Sequence, residues 1–395
     1  MKHVVICVDL ARGAYLNLSA ILISVAGYNS LTFFYSLFIV LLLAFTWMIL
    51  KKTGHNPFGY ILAEVIYGSL AGYLALKTGT DLFQVMQFLA IGGFIGGPIL
   101  LLMNVFFAYK KFKAMAILNS ALAAILVLVG IDAFIVEPHF LEISRFEIAS
   151  DKIDTLLNIA IVADLQTDSV GDYERDVFRK IAKEKPDIVL FPGDYIQVFT
   201  NEERINETAK LKKIIKDSGL NPKYGSFFVQ GNVEYTNWPE MFSDLPGKAF
   251  VKTETVSAGP VDITGLSFDE GRFKYDFTAR NKFHIGIAHY PDFALGNGSA
   301  DLMVAGHCHG GQVQIPFVGP IVTFSNVPKA WVNGNLVQLP NRSHLIVSRG
   351  VGMERMNAPR LRFCCRPQLI FVKVIPKDIE IGISTNPNKS AHNFQ

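Results

Sequence analysis

The sequence predicts two parts of different class: a helical bundle that crosses a membrane, then an α/β domain outside it. Three observations carry this. Four apolar runs near 31–50, 58–76, 82–108 and 114–136 are each long enough to span a bilayer. From Leu156 onward, short apolar runs alternate with amphipathic helical stretches. Several of the short runs end in side chains able to ligate a metal. Residues 1–136 are therefore expected as a transmembrane domain and residues 137–395 as a second domain.

Charge follows the same division. Residues 1–136 carry 8 Lys/Arg against 4 Asp/Glu, and the remainder 29 against 30. The net charge of +3 belongs to the membrane part, and the second part has no basic footprint for nucleic acid.

Along the chain, Lys2, Arg12 and the apolar stretch Leu16–Ala26 suggest a signal peptide, but Leu31 continues the hydrophobic run with no cleavage region between. This segment is expected as an interfacial helix or an extension of the first span. Lys51 and Lys52 follow the first span; Lys110, Lys111 and Lys113 follow the third. The positive-inside rule puts those connections in the cytoplasm and the exit at Glu137-Pro138 outside. The second domain is then periplasmic or extracellular, on a multi-pass protein of a bacterial cytoplasmic membrane. Gly68/Gly72, Gly92/Gly96 and Gly93/Gly97 offer small faces for helix packing. Pro98 is expected to kink span three. Glu64 lies well inside a span and reads as an interhelical hydrogen bond or a transport path; Asp132 lies near the outer end of span four.

In the second part, an alternating piece at Leu141–Ile148 precedes apolar runs near 156–163, 188–191, 226–229, 261–266, 283–288, 302–305, 344–347 and 369–374. Amphipathic helices fit 173–183 and 202–216. Polar residues gather where the runs end: Asp164 and Gln166, Gly193-Asp194, Gly231-Asn232, His289, and Gly306-His307-Cys308-His309. Alternate residues of a strand point the same way, so His307 and His309 can aim at one point and Cys308 elsewhere. Singly, Asp164 could serve as a helix cap, Asn232 as a turn residue and His289 as a core histidine. Together they fit a metal crevice at the carboxyl ends of strands.

These motifs, with Ser348-Arg349-Gly350-Val351-Gly352 and Arg366-Pro367-Gln368, resemble the calcineurin-like metallophosphoesterases over about Glu137 to Lys377. The match is to their membrane-anchored bacterial branch, in which Thr stands where this chain has Cys308. The resemblance implies a four-layer α/β/β/α sandwich and two divalent ions of Mn, Mg, Fe or Zn. It also implies hydrolysis of a phosphate ester or anhydride by a metal-activated hydroxide. Carried over by position, one ion takes Asp194, Asn232, His289 and His307, and the other Asp164, Gln166, Asp194 and His309. Asp194, Asn232 and His289 are the expected catalytic residues. The partners implied are a phosphorylated, lipid-linked or envelope substrate and the bilayer itself.

Two departures stand out. The first motif normally carries His where this chain has Gln166, with Asp168 or Gln197 as possible extra contacts. The third normally carries His where this chain has Val233. An imidazole that assists the leaving group is therefore missing, and Glu234, Tyr235 and His284 are the available substitutes. The alternative reading is a weakly active or inactive metal- and phosphate-binding sensor of the same fold. No disulfide framework is evident from Cys7, Cys308, Cys364 and Cys365. Arg349, Arg355, Arg360, Arg362 and Arg366 could hold an anionic head group or make structural ion pairs. Phe140, Trp238 and Trp331 are candidates for the membrane side.

Overall fold

A computed structural model describes residues 5–6, 16–17, 30–53, 56–297 and 300–377. Helix α1 is Ser30–Thr53 and α2 is Pro57–Thr78. Leu82–Ile91 runs through a π-helical turn, Gly92–Gly96, into Gly97–Ala108, and these form α3. Lys113–Ile131 is α4, extended by a π turn at Asp132–Val136 and a 3-10 turn at Glu137–His139. All four are long and apolar enough to cross a membrane. Side-chain caps set two of the starts. Asn56 accepts from Phe58 N at the head of α2, and Asp81 from Gln84 N at the head of α3.

Polar contacts knit the helices together. Thr32 Oγ1 donates to Gln87 at 2.9 Å, Tyr67 Oη to the Gly92 carbonyl at 2.8 Å, and Asn104 Nδ2 to Glu64 at 2.7 Å. Glu64 is thus hydrogen-bonded between helices. Thr32 and Gln87 lie near the starts of α1 and α3, and Trp47 and Phe106 stack near their ends. The two helices run parallel, so Lys51, Lys52, Lys110, Lys111 and Lys113 share one end of the bundle. The small faces need one correction. A Cβ at Gly68, Gly72 or Gly93 would meet nothing within 4 Å, so those glycines do not serve close packing, whereas at Gly96 it would overlap the Tyr67 hydroxyl. Where Pro98 is expected to kink span three, the helix passes through the π turn Gly92–Gly96, and Pro98 stands in the first turn of the segment that follows it.

Two sheets follow. Strands β1 Glu142–Ser150, β2 Leu157–Ile161, β3 Ile188–Phe191, β4 Ser226–Val229 and β5 Gly247–Phe250 belong to the first. Strands β6 Glu254–Ala258, β7 Val261–Gly265, β8 Phe283–Ile287, β9 Leu302–Ala305, β10 Leu336–Gln338 and β11 His344–Val347 form the second. β12, Gln368–Pro376, returns to the first sheet. The orders are β1-β12-β2-β3-β4-β5 and β10-β11-β9-β8-β7-β6. β2 to β5 are parallel, as are β7, β8, β9 and β11. Except in the edge strand β5 and at single polar positions such as His344 of β11, their side chains are buried on both faces, which explains the continuous apolar runs.

One apolar layer lies between the sheets and includes Ile159, Leu190, Ile263, Ile285 and Val304. A second covers the first sheet. There α5, Asp172–Glu184, and α6, Asn201–Asp217, bury Val177, Phe178, Ile181, Leu211 and Ile214. Each such side chain contributes about 1.5–3 kcal/mol. The outer face of the second sheet is covered by short helical turns, Pro291–Leu295 and Lys329–Val332 among them.

The α/β domain sits directly on the bundle. The Glu137 carboxylate accepts from Cys364 N at 2.7 Å and from Cys365 N, and Arg362 N donates to the Ala133 carbonyl at 2.9 Å. Asn357 Nδ2 donates to Asp81 at 2.9 Å, and the rings of Phe83 and Phe324 lie 5.3 Å apart. Of the three aromatics considered for the membrane side, Phe140 adjoins the bundle, with Arg366 over its ring. Trp238 is instead buried beside Tyr195 in the helical layer of the first sheet, and Trp331 packs on the outer cluster of the second. Most of residues 1–30 lie outside the described residues. Val5–Ile6 and Leu16–Asn17 form a short antiparallel pair where a helix is expected.

Candidate metal centre

The carboxyl ends of β2, β3 and β4 in one sheet and β8 and β9 in the other open on a single crevice. Backbone hydrogen bonds fix the exits to one another: Asp164 N to Gly193 O, Gln166 N to Asp194 O, and Gly306 N to His289 O. Asp164, Gln166, Asp194, His307 and His309 all have positive φ, a conformation that costs energy in non-glycine residues and gathers at functional sites. Gly231 is required by space: a Cβ there would lie 2.0 Å from Asp194 Oδ1.

One group of expected ligands comprises Asp194, Asn232, His289 and His307. Ligand atoms of Asp164, Asp194 and His289 lie within 4.8 Å of one another, and His289 Nε2 is 3.4 Å from Asp194 Oδ2. His289 Nδ1 is 2.8 Å from the Pro192 carbonyl, which can only accept, so the proton sits on Nδ1. Nε2 then presents a lone pair to Asn232 Oδ1 at 2.9 Å. His307 repeats this, with Nε2 on the Phe324 carbonyl at 3.2 Å and Nδ1 at 3.1 Å from the same Asn232 oxygen. Three acceptor atoms thus face one another, an arrangement that a shared cation resolves.

The other group is Asp164, Gln166 and His309, with Asp194. Asp164 Oδ2, Gln166 Oε1 and His309 Nε2 are all buried with no hydrogen-bond partner. Buried polar atoms are rarely left unpaired. The Gln166 amide has a defined orientation, because its Nε2 donates to Gln197 Oε1 and to Glu354 Oε2, each at 3.0 Å. Its oxygen is therefore the free atom.

Burial sets the protonation of the site. It pushes Asp164 up to about 8 and Asp194 well above the usual carboxylate range, with Glu234 the next cause for Asp194. Burial also lowers His307 to about 4, and His289 and His309 well below the ordinary histidine value. The imidazoles are neutral, as ligation requires. Carboxylates of Asp164, Asp194, Glu234 and Glu354 crowd one buried region, which suits divalent charge. The residues present fit metal ions.

The candidates to replace the third-motif histidine, and the extra contacts considered beside Gln166, are all engaged by other partners. Glu234 is no free acid, because its carboxylate accepts from the backbone N–H groups of Asp194, Tyr195 and Gly231. Tyr235 lies under the Arg204 guanidinium, and His284 bonds Thr264 within the second sheet. Asp168 pairs with Arg355 and Arg360, while Gln197 bonds Gln166 and Arg355 N. The arginines are likewise committed. Arg349 pairs with Glu142, and buried Arg362 donates to the carbonyls of Cys365, Arg349 and Gly352. Cys308, Cys364 and Cys365 are free thiols; Cys308 packs in the outer cluster of the second sheet, and Cys7 lies outside the described residues.

Residues 157–311 match the calcineurin-like phosphoesterase family. These residues form a calcineurin-like phosphoesterase domain. That family is one of metal-dependent phosphoester hydrolases. Over 254 residues the chain is 27% identical to the uncharacterized metallophosphoesterase YkuE of Bacillus subtilis, covering 59% of this chain and 85% of that one. It is 25% identical to YkoQ of the same organism over 243 residues, covering 55% and 83%. The crystal structure of a dimetal phosphatase from Danio rerio is 12% identical, covers 50% of this chain and 88% of its own, and superimposes with a TM-score of 0.32.

The sequence did not mark Glu354, which lies beyond the matched residues in an irregular loop between Gly352 and Arg366. Nor did it mark the Pro192 and Phe324 carbonyls, which orient two imidazoles without any side-chain signature.

Proposed function

We propose that the protein is a membrane-anchored phosphoesterase, acting on the outer face of the cytoplasmic membrane on a phosphate ester or anhydride of a lipid or envelope component. The observation that carries this is the trio of buried, partnerless atoms, Asp164 Oδ2, Gln166 Oε1 and His309 Nε2, beside the Asp194–His289 pair. Divalent cations held by these residues would activate a water and neutralise phosphate charge. The chain's own residues do the rest. Asp194 stands between both groups of ligands. The Pro192 and Phe324 carbonyls fix the tautomer and orientation of His289 and His307, burial keeps both rings neutral, and Glu234 fixes the turns that carry Asp194 and Gly231.

Val233 supplies no third-motif imidazole, so the leaving group either takes its proton from water or needs none, as when a phosphate of an anhydride departs. The same observation supports a second reading, a sensor that binds metal and phosphate with little turnover. Sidedness rests on the five lysines at the bundle end away from the α/β domain. Full-length protein in detergent with Mn, assayed on bis(p-nitrophenyl) phosphate beside Asp194→Asn, separates the readings. The hydrolase turns over and the variant does not; equal background rates would leave the sensor. Protease cleavage of the domain in spheroplasts, but not in inside-out vesicles, checks the orientation.

A further inference from the structure

A cavity of about 520 Å³ joins the metal centre to the membrane helices. Asn232, Tyr290, His307 and His309 line one end, and Phe83, Met86, Leu89, Ala90 and Phe94 of α3 line the other. Phe83 to Phe94 covers about 16 Å of helix, roughly half the hydrocarbon thickness of a bilayer. Leu89 is 46% exposed, so this wall is open to lipid. The two ends differ in chemistry as the two ends of an amphiphile do: imidazoles, the Asn232 and Gln312 amides and the Glu354 carboxylate at one, only apolar side chains at the other.

A second feature flanks the opening. The short hairpin of Gln314–Ile315 and Gly319–Pro320 exposes Ile315, Phe317 and Val318, and the chain beyond it exposes Ile321 and Phe324. Phe317 is wholly exposed, and Phe324 touches Phe83. An apolar patch of this kind beside a spanning helix is a membrane-contact surface. Ile321, Val322 and Phe324 also line the cavity, so the element that dips toward the bilayer is a wall of the passage to the site.

We propose that this cavity holds the hydrocarbon chain of a phosphorylated membrane lipid, which enters sideways from the outer leaflet with its phosphate at Asn232, His307 and His309. The inference rests on the hydrolase reading above and adds where the tail lies. A small soluble phosphate would reach the polar end and leave the α3 wall unused.

The test uses full-length protein in phosphatidylcholine nanodiscs. A phosphatidic acid with a photoreactive group in its acyl chain is crosslinked and the sites are mapped by mass spectrometry, beside an identically labelled phosphatidylcholine. Crosslinks at Met86 to Phe94 that favour the phosphatidic acid, are competed by unlabelled phosphatidic acid and fall about tenfold in Met86→Trp are expected. Crosslinks spread evenly over the outward faces of α1–α4 with both probes would overturn the proposal. In kinetics, Met86→Trp should cut phosphatidic acid turnover about tenfold and leave bis(p-nitrophenyl) phosphate turnover unchanged. Equal loss on both substrates would also count against the tail site. Turnover of neither substrate by the wild type would sink the hydrolase reading, while the crosslinks would still decide where the lipid tail lies.

Discussion

Gln166 and Glu354 are joined across 188 residues of sequence: the amide Nε2 donates to the carboxylate at 3.0 Å. An amide can face either way, and a carboxylate on its nitrogen leaves the oxygen toward Asp164 and His309. Gln166 can therefore stand where the family carries a histidine, provided Glu354 holds it. Glu354→Gln removes that bias, because its own amide can donate as well as accept. Loss of such an outer partner lowers metal affinity by about 10–100-fold. Calorimetric titration with Mn should show two binding steps in the wild type and a weakened second step in the variant. An unchanged two-step isotherm would show that Glu354 does not orient Gln166.

Glu234 takes the place of a free acid with a structural duty. Its carboxylate gathers N–H groups from two strand exits, those after β3 and β4, and burial pushes it up to about 7. Glu234→Gln keeps the shape but turns one acceptor into a donor that faces other donors. Each buried N–H left without a partner costs about 1–3 kcal/mol. The variant should melt several degrees lower in detergent and retain less metal after dialysis. A melt and metal content equal to wild type would remove Glu234 from the positioning of Asp194.

Much of this site could be read in the sequence because each expected ligand lies within a few residues of a strand end, often beside glycine. Asp194 after Gly193 and Asn232 after Gly231 are local signals, and the spans are legible from composition alone. What escaped depends on tertiary partners. Glu354 gains its role only from Gln166. The arginines near the C-terminus read in sequence either as an anion site or as structural ion pairs, and only the fold shows Glu142 as the partner of Arg349 and Asp168 as that of Arg355 and Arg360. Gly68 and Gly72 misled because small residues four apart look the same on a packed face and on an open one. Trp238 likewise carried no sign of whether it would meet lipid or Tyr195.

His284 gives the α/β domain a pH dependence independent of the metal centre. Burial is the main cause of its low pKa of about 4, and its Nε2 bonds Thr264 Oγ1 at 2.7 Å. Between about pH 6.5, the ordinary value, and this lowered one, the unfolded chain binds a proton that the folded chain refuses. Stability is therefore present above the window and is lost as pH falls through it. The full loss is up to about 3 kcal/mol, with roughly 2 kcal/mol of it gone by about pH 5. Melting curves at about pH 7 and pH 5 should show a steeper drop for wild type than for His284→Gln. Parallel drops would mean that His284 is not the titrating group.

Glu137 is the tie between the spanning bundle and the loop beneath the metal centre. It sits at the end of α4, and its carboxylate accepts from Cys364 N and Cys365 N. The same loop carries Leu361, which packs on Ala90 and Phe134, and Arg362, whose guanidinium holds the Arg349 and Gly352 carbonyls close to His309. Glu137→Ala leaves two N–H groups unpaired at one spot, a local cost of about 1–3 kcal/mol each. Amide exchange at Leu361 to Cys365 should accelerate by tenfold or more, since about 1.4 kcal/mol is a factor of ten. Exchange in β2 and β3, whose cores lie between the sheets and under α5 and α6, should stay at the wild-type rate. Faster exchange spread uniformly over both sheets would show that Glu137 supports the whole fold rather than this one junction.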